Sequence, residues 1–468
     1  MLPLTLEKIA GVTRGRLVGA PDCGKITATS VVRDDREVVA GSLFLCFPGK
    51  NVDGHDYANR AFALGAVAAI AERDIDDARG PYILVCSTAA ALRALGTYYR
   101  SRLNIPIIGV TGSVGKTTAK EMLAAALSPR FNVLKTTDNL NNELGVPLTL
   151  LQIGAEHTAA VVEMGVSDFG EMTRLAEMAR PDFCVVTAIG HCHLDRLGDL
   201  KGVLRAKSEV FPRMSRDGTA ILNGDDALLR DFDPGIRRLT FGLGSDCDYR
   251  AENVVTRGTQ SVEFDLITPQ ARVKVQIPAY GAHLALGALA AAAVAESLGV
   301  PAEDIARGLA SYRPVGARSS VTDTGYITLI DDCYNANPNS VGAALRSLAA
   351  LPQRRVAILG DMAELGAASN ELHRDVGILA GQLGIDVVIC CGEKAEFIFK
   401  GTIASRAEIE PYHFPFKQAL FERLPQLIKK GDAVLVKASH SMKFEEITAA
   451  LLELGETPGD GLNAKKFI

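Results

Sequence analysis

Residues 105–122 place a β-branched run, a glycine-rich turn and an amphipathic segment one after another. The β-branched residues of 107–110 predict a buried strand, and residues 116–127 predict a helix with Met122 and Leu123 on its apolar face. A strand that turns through glycines into a helix presents consecutive backbone N–H groups and the positive helix end to a phosphate group. The sequence therefore predicts an α/β protein with a nucleotide site at this junction.

The turn itself reads Thr-Gly-Ser-Val-Gly-Lys-Thr-Thr over residues 111–118. In loops of this type the lysine contacts the β- and γ-phosphates, and the residue after it contacts a magnesium ion. The longer form of the loop has a glycine six residues before the lysine, where this chain has Val110, so the shorter form fits. An ordinary turn with an incidental lysine is the alternative, but it does not explain why all these residues fall at a strand-to-helix junction. The predicted phosphate-binding residues are Gly112, Ser113, Val114, Gly115, Lys116, Thr117 and Thr118.

The composition is that of an ordinary globular protein. The net charge of -5 gives no bulk electrostatic reason to bind nucleic acid. The nine cysteines lie mostly in apolar runs, without the spacing of a zinc site. The N-terminus lacks the basic head and apolar core of a signal peptide. The alanine-rich run at 281–299 falls short of the roughly 20 residues that a bilayer requires, so it predicts a core helix. We expect a cytoplasmic protein without membrane insertion.

The 468 residues correspond to about three domains, and we expect boundaries at 1–101, 102–314 and 315–468. The first segment predicts a small α/β domain with three strands and a helix, at 42–47, 66–71, 82–86 and 57–64. The second predicts a mostly parallel sheet around the phosphate loop. The third alternates short strands and helices, which implies a parallel, Rossmann-like sheet with helices on its faces.

Polar residues follow the predicted strands of the central segment. Glu163 ends a strand at 159–164, where an α/β sheet places a metal-binding carboxylate. His191 and His193 follow a strand at 183–189, which we expect to neighbour the strand of Glu163. Zinc is one interpretation of this histidine pair, but no further ligand has suitable spacing, so a magnesium site is favoured.

Two further segments leave alternatives open. The amide-rich segment 136–147 contains Asn139, Asn141 and Asn142, which indicate either recognition of a polar ligand or a hydrogen-bonded loop. Lys207 lies on a predicted amphipathic helix, where the residues alone favour an exposed charge.

In the third segment, polar clusters at 331–338, 360–366 and 437–440 follow predicted strands. Ligands bind at the carboxyl ends of parallel strands, so these clusters are candidate binding residues. The chain has no GxGxxG pattern, and a dinucleotide cofactor is not expected. In the first segment, the polar stretches 33–36 and 49–55 favour solvated turns.

Taken together, these motifs resemble the Mur ligase family over essentially the whole chain. The resemblance rests on the phosphate loop and on segments 42–44, 53–55, 139–142, 145–147, 163–165, 193–194, 206–207, 332–338 and 359–366. The Asp-Cys-Tyr-Asn-Ala-Asn-Pro string of 332–338 is the most specific, because it resembles the member of the family that adds a dipeptide.

The resemblance implies an ATP-dependent amide-bond ligase of peptidoglycan precursor synthesis. It would add D-alanyl-D-alanine to UDP-N-acetylmuramoyl-tripeptide through an acyl phosphate, with the uridine nucleotide on the first domain and the dipeptide on the third. We expect a monomer. The alternatives are a ligase that adds a single amino acid, such as another Mur ligase or a folylpolyglutamate synthase, and a non-catalytic nucleotide-binding relative.

The resemblance also implies a role for individual residues. The implied catalytic residues are Lys116, His193, Lys207 and Arg318. Two magnesium ions would be held by Thr117, Glu163, His193 and Lys207, the last as a carbamate. ATP would contact the phosphate loop and also His283, Arg318, Asp332 and Asn335. The implied substrate-binding residues are Asp35, Arg36, Asp53, His55, Asn139, Asn141, Asn142, Tyr334, Asn337, Lys437 and Ser439.

Three segments depart from the family pattern. The segment that starts at His283 has Leu284 and Gly287 in place of two asparagines that the family places near the adenine. Residues 437–440 read Lys-Ala-Ser-His where the family has Lys-Gly-Ser-Arg, and residues 34–36 read Asp-Asp-Arg where it has Asp-Ser-Arg.

Overall fold

The computed structural model describes residues 1–49, 52–405 and 408–454, and these form three large β-sheets that follow one another along the chain. Helices cover the sheets, so the expected α/β class is confirmed. Two residues of the predicted turn at 49–55 and the last residues of the third predicted domain, 455–468, lie outside the described residues.

The first sheet belongs to the N-terminal part of the chain. The strands there are β1 (Leu4–Thr5), β2 (Arg16–Val18), β3 (Thr27–Ala28), β4 (Ser30–Val32), β5 (Ser42–Leu45), β6 (Ala68–Ala71) and β7 (Tyr82–Leu84). The helices are α1 (Leu6–Thr13), α2 (Ala58–Leu64) and α3 (Thr88–Arg100). The main sheet has the order β2-β7-β6-β5-β4, and β1 pairs with β3. The strands and the helix predicted in this segment are confirmed, with slightly shorter bounds.

The central sheet carries the phosphate loop. Its strands are β8 (Ile107–Thr111), β9 (Val133–Lys135), β10 (Ala159–Glu163), β11 (Phe183–Val186), β12 (Thr219–Asn223), β13 (Arg237–Gly242), β14 (Tyr249–Arg257), β15 (Ser261–Ile267) and β16 (Arg272–Ile277). The helices are α4 (Lys116–Leu127), α5 (Gly145–Leu151), α6 (Glu171–Ala179), α7 (Leu194–Leu197), α8 (Leu200–Ser208), α9 (Ala227–Arg230), α10 (Leu284–Ser297) and α11 (Ala302–Ala310).

This sheet has the order β16-β15-β14-β13-β12-β11-β8-β10-β9. The strands from β9 to β14 are parallel, and β14, β15 and β16 form an antiparallel extension. The parallel strands β8 and β10 are buried along their whole length, whereas β14 alternates between buried and more exposed positions. A parallel strand covered by helices on both faces loses the alternation that an antiparallel strand with one solvated face retains.

The expected neighbour relationship between the strand of Glu163 and the strand before His193 is wrong. Both strands, β10 and β11, pair with β8, one on each side. The strand of the phosphate loop therefore separates them, and the carboxyl ends of all three meet at one edge of the sheet. This order places Glu163 and the residues after β11 on opposite sides of the loop.

The alanine-rich helix α10 is almost completely buried and packs against α4, as a core helix should. Small side chains allow the two helices to approach closely. No helix within the described part of the chain is long and apolar enough to cross a bilayer.

The third sheet follows the Pro/Gly-rich connection at 312–318. Its strands are β17 (Ser320–Asp323), β18 (Thr328–Asp331), β19 (Arg355–Gly360), β20 (Val387–Cys391), β21 (Glu410–Phe414) and β22 (Ala433–Lys437). The helices are α12 (Pro338–Ala349), α13 (Ser369–Gln382), α14 (Ala395–Ala404), α15 (Lys417–Leu427) and α16 (Glu445–Glu453). The order is β17-β18-β22-β19-β20-β21, and every pair except β17–β18 is parallel.

Sequence patterning does not reveal α14 or β21 in this sheet. β21 contains Pro411 and lies at an edge with no fully buried residue, so it lacks the apolar run that marks the central strands.

Candidate active site

The phosphate loop joins β8 to α4. Gly112 and Gly115 have φ values of +144° and +79°, and a Cβ at Gly112 would overlap Thr187 Oγ1. Glycine is required there, because the backbone passes directly against Thr187, the residue that follows β11. Gly115 precedes α4 without a capping side chain, so the first N–H groups of the helix remain available to an anion. Lys116 Nζ donates to the carbonyl oxygen of Gly112 at 2.8 Å, which folds the lysine over the loop.

Thr117 and Glu163 join the helix to the neighbouring strand. Thr117 Oγ1 donates to Glu163 Oε2 at 2.9 Å, and Asn141 Nδ2 donates to Glu163 Oε1 at 2.9 Å. Glu163 is 2% exposed. The backbone N–H of Glu163 also donates to Thr136 Oγ1 at 3.0 Å. A hydroxyl and a carboxylate are thus held together beside the phosphate loop, and both are hard oxygen donors of the kind that Mg²⁺ prefers.

Lys120 is a functional candidate that the sequence motifs do not identify. It lies one turn after Lys116 on α4 and is 2% exposed. Its Nζ donates to the carbonyl oxygen of Thr136 at 2.7 Å and lies 3.2 Å from Glu121 Oε1 and 4.0 Å from Glu163 Oε2. The cation therefore sits between two buried carboxylates. The one signal in the sequence is a lysine one turn after the phosphate-loop lysine, on the helix that the loop begins.

Lys207 is buried, with 1% of its surface exposed. The exposed charge predicted from the residues alone is therefore wrong. It lies on α8, which begins at Leu200 because Asp199 caps the helix through the N–H of Gly202 at 2.7 Å. Burial lowers the pKa of Lys207 to about 8. Its ammonium has no ion-pair partner within residues 1–49, 52–405 and 408–454. A neutral amine is therefore far more accessible here than on an exposed lysine.

His193 lies after β11 and contacts the third sheet. Its Nδ1 is 2.6 Å from Glu364 Oε2, and its φ of +52° places it in the left-handed region. Burial lowers the pKa of His193, and the Glu364 carboxylate partly opposes this effect. No set of three or more His, Cys, Asp or Glu side chains able to hold a metal occurs in the described part of the chain.

The third sheet contributes a polar cluster to the same place. Asp332 Oδ2 lies 2.6 Å from Lys437 Nζ, and Asp332 Oδ1 accepts from the N–H of Ser319 at 3.0 Å. The guanidinium of Arg318 stacks 3.9 Å above the ring of Tyr334. Lys437, the last residue of β22, is 3% exposed, and its Nζ also donates to the carbonyl oxygen of Asn335 at 3.0 Å.

One cavity of about 690 Å³ joins the central and third sheets. Among its lining residues are most of those predicted for ATP, metal and peptide: Ser113, Val114, Gly115, Lys116, Thr118, Asn139, Asn141, Asn142, Glu163, His193, His283, Arg318, Asp332, Tyr334, Asn335, Asn337 and Lys437. The other predicted residues do not line it: Gly112, Thr117, Lys207, Ser439, Asp35, Arg36, Asp53 and His55.

The predicted residues of the first sheet make contacts of their own. His55 Nδ1 lies 2.6 Å from Asp53 Oδ1, and His55 Nε2 accepts from the N–H of Glu72 at 2.9 Å. Hydrogen bonds from His55 hold the pKa of Asp53 at about 2. Asp35 is buried beside Arg60 at 2.9 Å. Both nitrogens of the His55 ring are thus occupied within the fold.

The departure at His283 has a packing explanation. A Cβ at Gly287 would lie 2.8 Å from Met122 Sδ, so an asparagine there would have to displace the methionine of α4. Leu284 is buried in the same core. His283 Nδ1 is buried without a hydrogen-bond partner in the described structure, and burial lowers the pKa of His283. The segment that starts at His283 is therefore less amide-rich than the family pattern.

Known proteins match this chain over nearly its whole length. Models of the Mur ligase family catalytic domain, the Mur ligase middle domain and the Mur ligase glutamate ligase domain match residues 29–137, 110–295 and 317–440. UDP-N-acetylmuramoyl-tripeptide–D-alanyl-D-alanine ligase of Escherichia coli strain K12 is 38% identical over 97% of this chain and 100% of that protein.

Solved structures match equally well. MurF from Acinetobacter baumannii superposes with a TM-score of 0.87 at 32% identity, over 96% of this chain and 99% of that one. The MurF ligase from Thermotoga maritima, in complex with ADP, gives a TM-score of 0.80 at 28% identity, over 92% of this chain and 98% of that one.

Proposed function

This chain belongs to the Mur ligase family, and from that premise we propose that it joins D-alanyl-D-alanine to UDP-N-acetylmuramoyl-tripeptide, with conversion of ATP to ADP and phosphate. It is an ATP-dependent ligase of peptidoglycan synthesis. The observation that carries the proposal is the cavity of about 690 Å³, which is lined by both the phosphate loop and the dipeptide-type segment 332–338.

The reaction has two steps. A carboxylate oxygen at the end of the tripeptide attacks the γ-phosphorus of ATP, the bond to the β-phosphate oxygen breaks, and ADP leaves. The dipeptide amine then attacks the acyl phosphate, loses a proton, and expels inorganic phosphate as the amide forms. Both steps depend mainly on positioning and on neutralisation of phosphoryl charge.

The residues of the cavity suit these requirements. We assign Lys116 and Arg318 to the γ-phosphate, since Lys116 lies over the phosphate loop and Arg318 brings a second cation to the same cavity. Asp332 and Asn335 are assigned to the nucleoside part of ATP, together with His283. The Asn139, Asn141 and Asn142 amides and the Tyr334 and Asn337 side chains are assigned to the peptide substrates.

A magnesium site fits the donors beside the loop. Thr117 and Glu163 would hold the ion through a hydroxyl and a carboxylate that already lie 2.9 Å apart. Two protein ligands are enough for Mg²⁺, because the ion takes its remaining ligands from phosphates and water. When bound, Mg²⁺ neutralises the charge that develops on the transferred phosphoryl group.

A second ion would depend on Lys207. An ammonium cannot bind a metal, but a neutral amine can attack CO₂, lose a proton and become a carbamate with two oxygen donors. The pKa of Lys207, lowered to about 8 by burial, makes that amine available near neutral pH. We assign carbamylated Lys207 and His193 to this second ion.

The remaining assignments follow the three sheets. We propose domains at 1–101, 102–314 and 315–468, with the uridine nucleotide on the first, near Asp35, Arg36, Asp53 and His55. The dipeptide belongs to the third, near Lys437 and Ser439. We further propose a cytoplasmic monomer.

The decisive experiment measures phosphate release with UDP-N-acetylmuramoyl-tripeptide, with and without D-alanyl-D-alanine. We expect release only when both are present, and at least roughly 100-fold less with the Lys116→Ala variant, which removes a cation aimed at the phosphoryl group. Equal or faster release with a single amino acid as acceptor would identify a different ligase. Phosphate release without any acceptor would contradict the ligase assignment.

A further inference from the structure

The loop after β19 contains a motif that the assignments above leave without a role, residues 361–366. In this loop Glu364 meets His193 of the central sheet. Glu364 Oε2 lies 2.6 Å from His193 Nδ1, and the carbonyl oxygen of Glu364 accepts from the N–H of Leu194 at 2.9 Å. The side chain and the backbone of Glu364 thus both contact segment 193–194, which follows a strand of the central sheet.

The backbone on both sides of this contact is unusual. His193 and Glu364 have φ values of +52° and +61°, in the left-handed region that residues other than glycine rarely adopt. Gly366, at φ +56°, completes the turn, and a Cβ there would lie 3.3 Å from the nitrogen of Asp195. Uncommon conformations of this kind persist where the surrounding structure holds them.

Hydrogen bonds from the third sheet hold the loop in place. The N–H of Met362 donates to His373 Nε2 at 2.9 Å, and the N–H of Ala363 donates to Ser439 Oγ at 2.8 Å. Asp361 Oδ1 accepts from the N–H of Ala395 at 2.7 Å. The three residues before Glu364 are therefore anchored one by one, and its carboxylate is presented from a fixed support.

We propose that Glu364 is a positioning residue for the ligase reaction, which orients the His193 ring and keeps its proton on Nδ1. A carboxylate beside one ring nitrogen favours the tautomer in which that nitrogen carries the proton. The other nitrogen then has a free lone pair and can act as a ligand or a hydrogen-bond acceptor. His193 lines the cavity, and its Nε2 has no hydrogen-bond partner in the described structure. The inference rests on the proposed function, because Nε2 meets the reacting groups only if the cavity holds ATP and peptide.

The position of Glu364 also affects when phosphoryl transfer can occur. Glu364 lies in the loop after β19 of the third sheet, and His193 lies in the segment after β11 of the central sheet. The ring is therefore correctly oriented only when the two sheets have come together. Phosphoryl transfer then waits until the third sheet is in place, which protects ATP and the acyl phosphate from water in a more open arrangement.

Three variants test the proposal through kinetics. We expect Glu364→Ala to lower kcat by about 10- to 100-fold, the usual effect of removing the partner of a ligating histidine, with little change in the KM for ATP. Glu364→Gln keeps an oxygen acceptor and should recover most of the rate. Glu393→Ala removes an exposed carboxylate from the same sheet and should match the wild type. A Glu364→Ala variant with wild-type kcat would overturn the proposal.

A double-mutant comparison separates action through His193 from any other effect. If Glu364 acts through the ring, the variant with both His193→Ala and Glu364→Ala should be no slower than His193→Ala alone. If the loss of kcat in the double variant equals the product of the two single losses, Glu364 acts independently of His193, and the proposal would fail.

A spectroscopic measurement tests the tautomer without turnover. In protein labelled with ¹⁵N-histidine and bound to ADP, the His193 signals are identified by their loss in His193→Asn. We expect the Nδ1–H tautomer in the wild type and a shift towards Nε2–H in Glu364→Ala. Unchanged shifts would overturn the positioning role. If the wild type fails to release phosphate in the presence of the dipeptide, the proposed function fails, but the ¹⁵N comparison still decides what Glu364 does to the ring.

Discussion

The side-chain amide of Asn337, which caps α12, donates a hydrogen bond to the carbonyl oxygen of Ser113 in the phosphate loop at 3.2 Å. The backbone N–H of His191 likewise donates to Asn339 Oδ1 at 3.1 Å. The third sheet therefore places side chains directly on the loop that is assigned to ATP. The dipeptide-type segment 332–338 and the phosphate loop are neighbours only because these contacts form.

We therefore expect the Asn337 contact to be required for the closed arrangement, in which the third sheet lies against the phosphate loop. Asn337→Ser keeps an equally good helix cap but is too short to reach Ser113. We expect its free energy of unfolding to stay within about 0.5 kcal/mol of the wild type, while its rate falls. Small-angle scattering with an ATP analogue and the tripeptide substrate should show a more compact wild type than variant. Identical scattering curves for wild type with and without ligands would argue against closure.

Lys207 should behave differently from an exposed lysine on the same helix. Lys201→Ala, at an exposed position of α8, should change stability by no more than about 0.5 kcal/mol and leave the rate alone. Lys207→Ala removes the group assigned to a metal, so we expect activity to fall by roughly 100-fold or more. Added formate or acetate supplies two oxygens in the vacated space and should restore part of the rate. Wild-type activity in Lys207→Ala would remove the second ion from the mechanism.

Lys120 should be needed for stability. Lys120→Met leaves the buried carboxylate of Glu163 without this cation, whereas Glu121 keeps its ion pair with the partly exposed Lys135. Removal of one partner from a buried charged group costs about 3–5 kcal/mol, and chemical denaturation should detect a loss of that order. The double variant Lys120→Met/Glu121→Gln should regain part of this stability, because one carboxylate fewer is then buried near the lost cation. A Lys120→Met protein as stable as the wild type would contradict the network.

His373 should make stability depend on pH. Burial lowers the pKa of His373 below its ordinary value of 6.5, and the neutral ring accepts from Met362 and donates to the carbonyl oxygen of Ser369 at 2.7 Å. As the pH falls through 6.5, the unfolded chain binds a proton that the folded chain does not, so stability decreases. His373→Leu cannot take up that proton, so its deficit relative to the wild type should be larger at pH 8 than at pH 5.5. Urea denaturation at the two pH values measures this difference, and an equal deficit at both would refute it.

Local sequence determines much of this protein. The helix predicted at 116–127 has those bounds in the structure, and the strand of 107–110 leads into it, because glycine conformation and apolar periodicity act over a few residues. The strand and helix alternation of the third segment likewise follows from local pattern, and the family resemblance identified most residues that line the cavity.

Strand order and the burial of charge were decided only by tertiary structure. Nothing local to β10 or β11 says that β8 lies between them, since parallel strands pair across long connections. Lys207 looks like a surface charge from its own helix, yet neighbours distant in the chain bury it and lower its pKa to about 8. Lys120 approaches Glu163, and Glu364 approaches His193, in the same way. The free energy of a charged side chain depends on the dielectric and the partners around it, and these are set by packing between segments far apart in sequence.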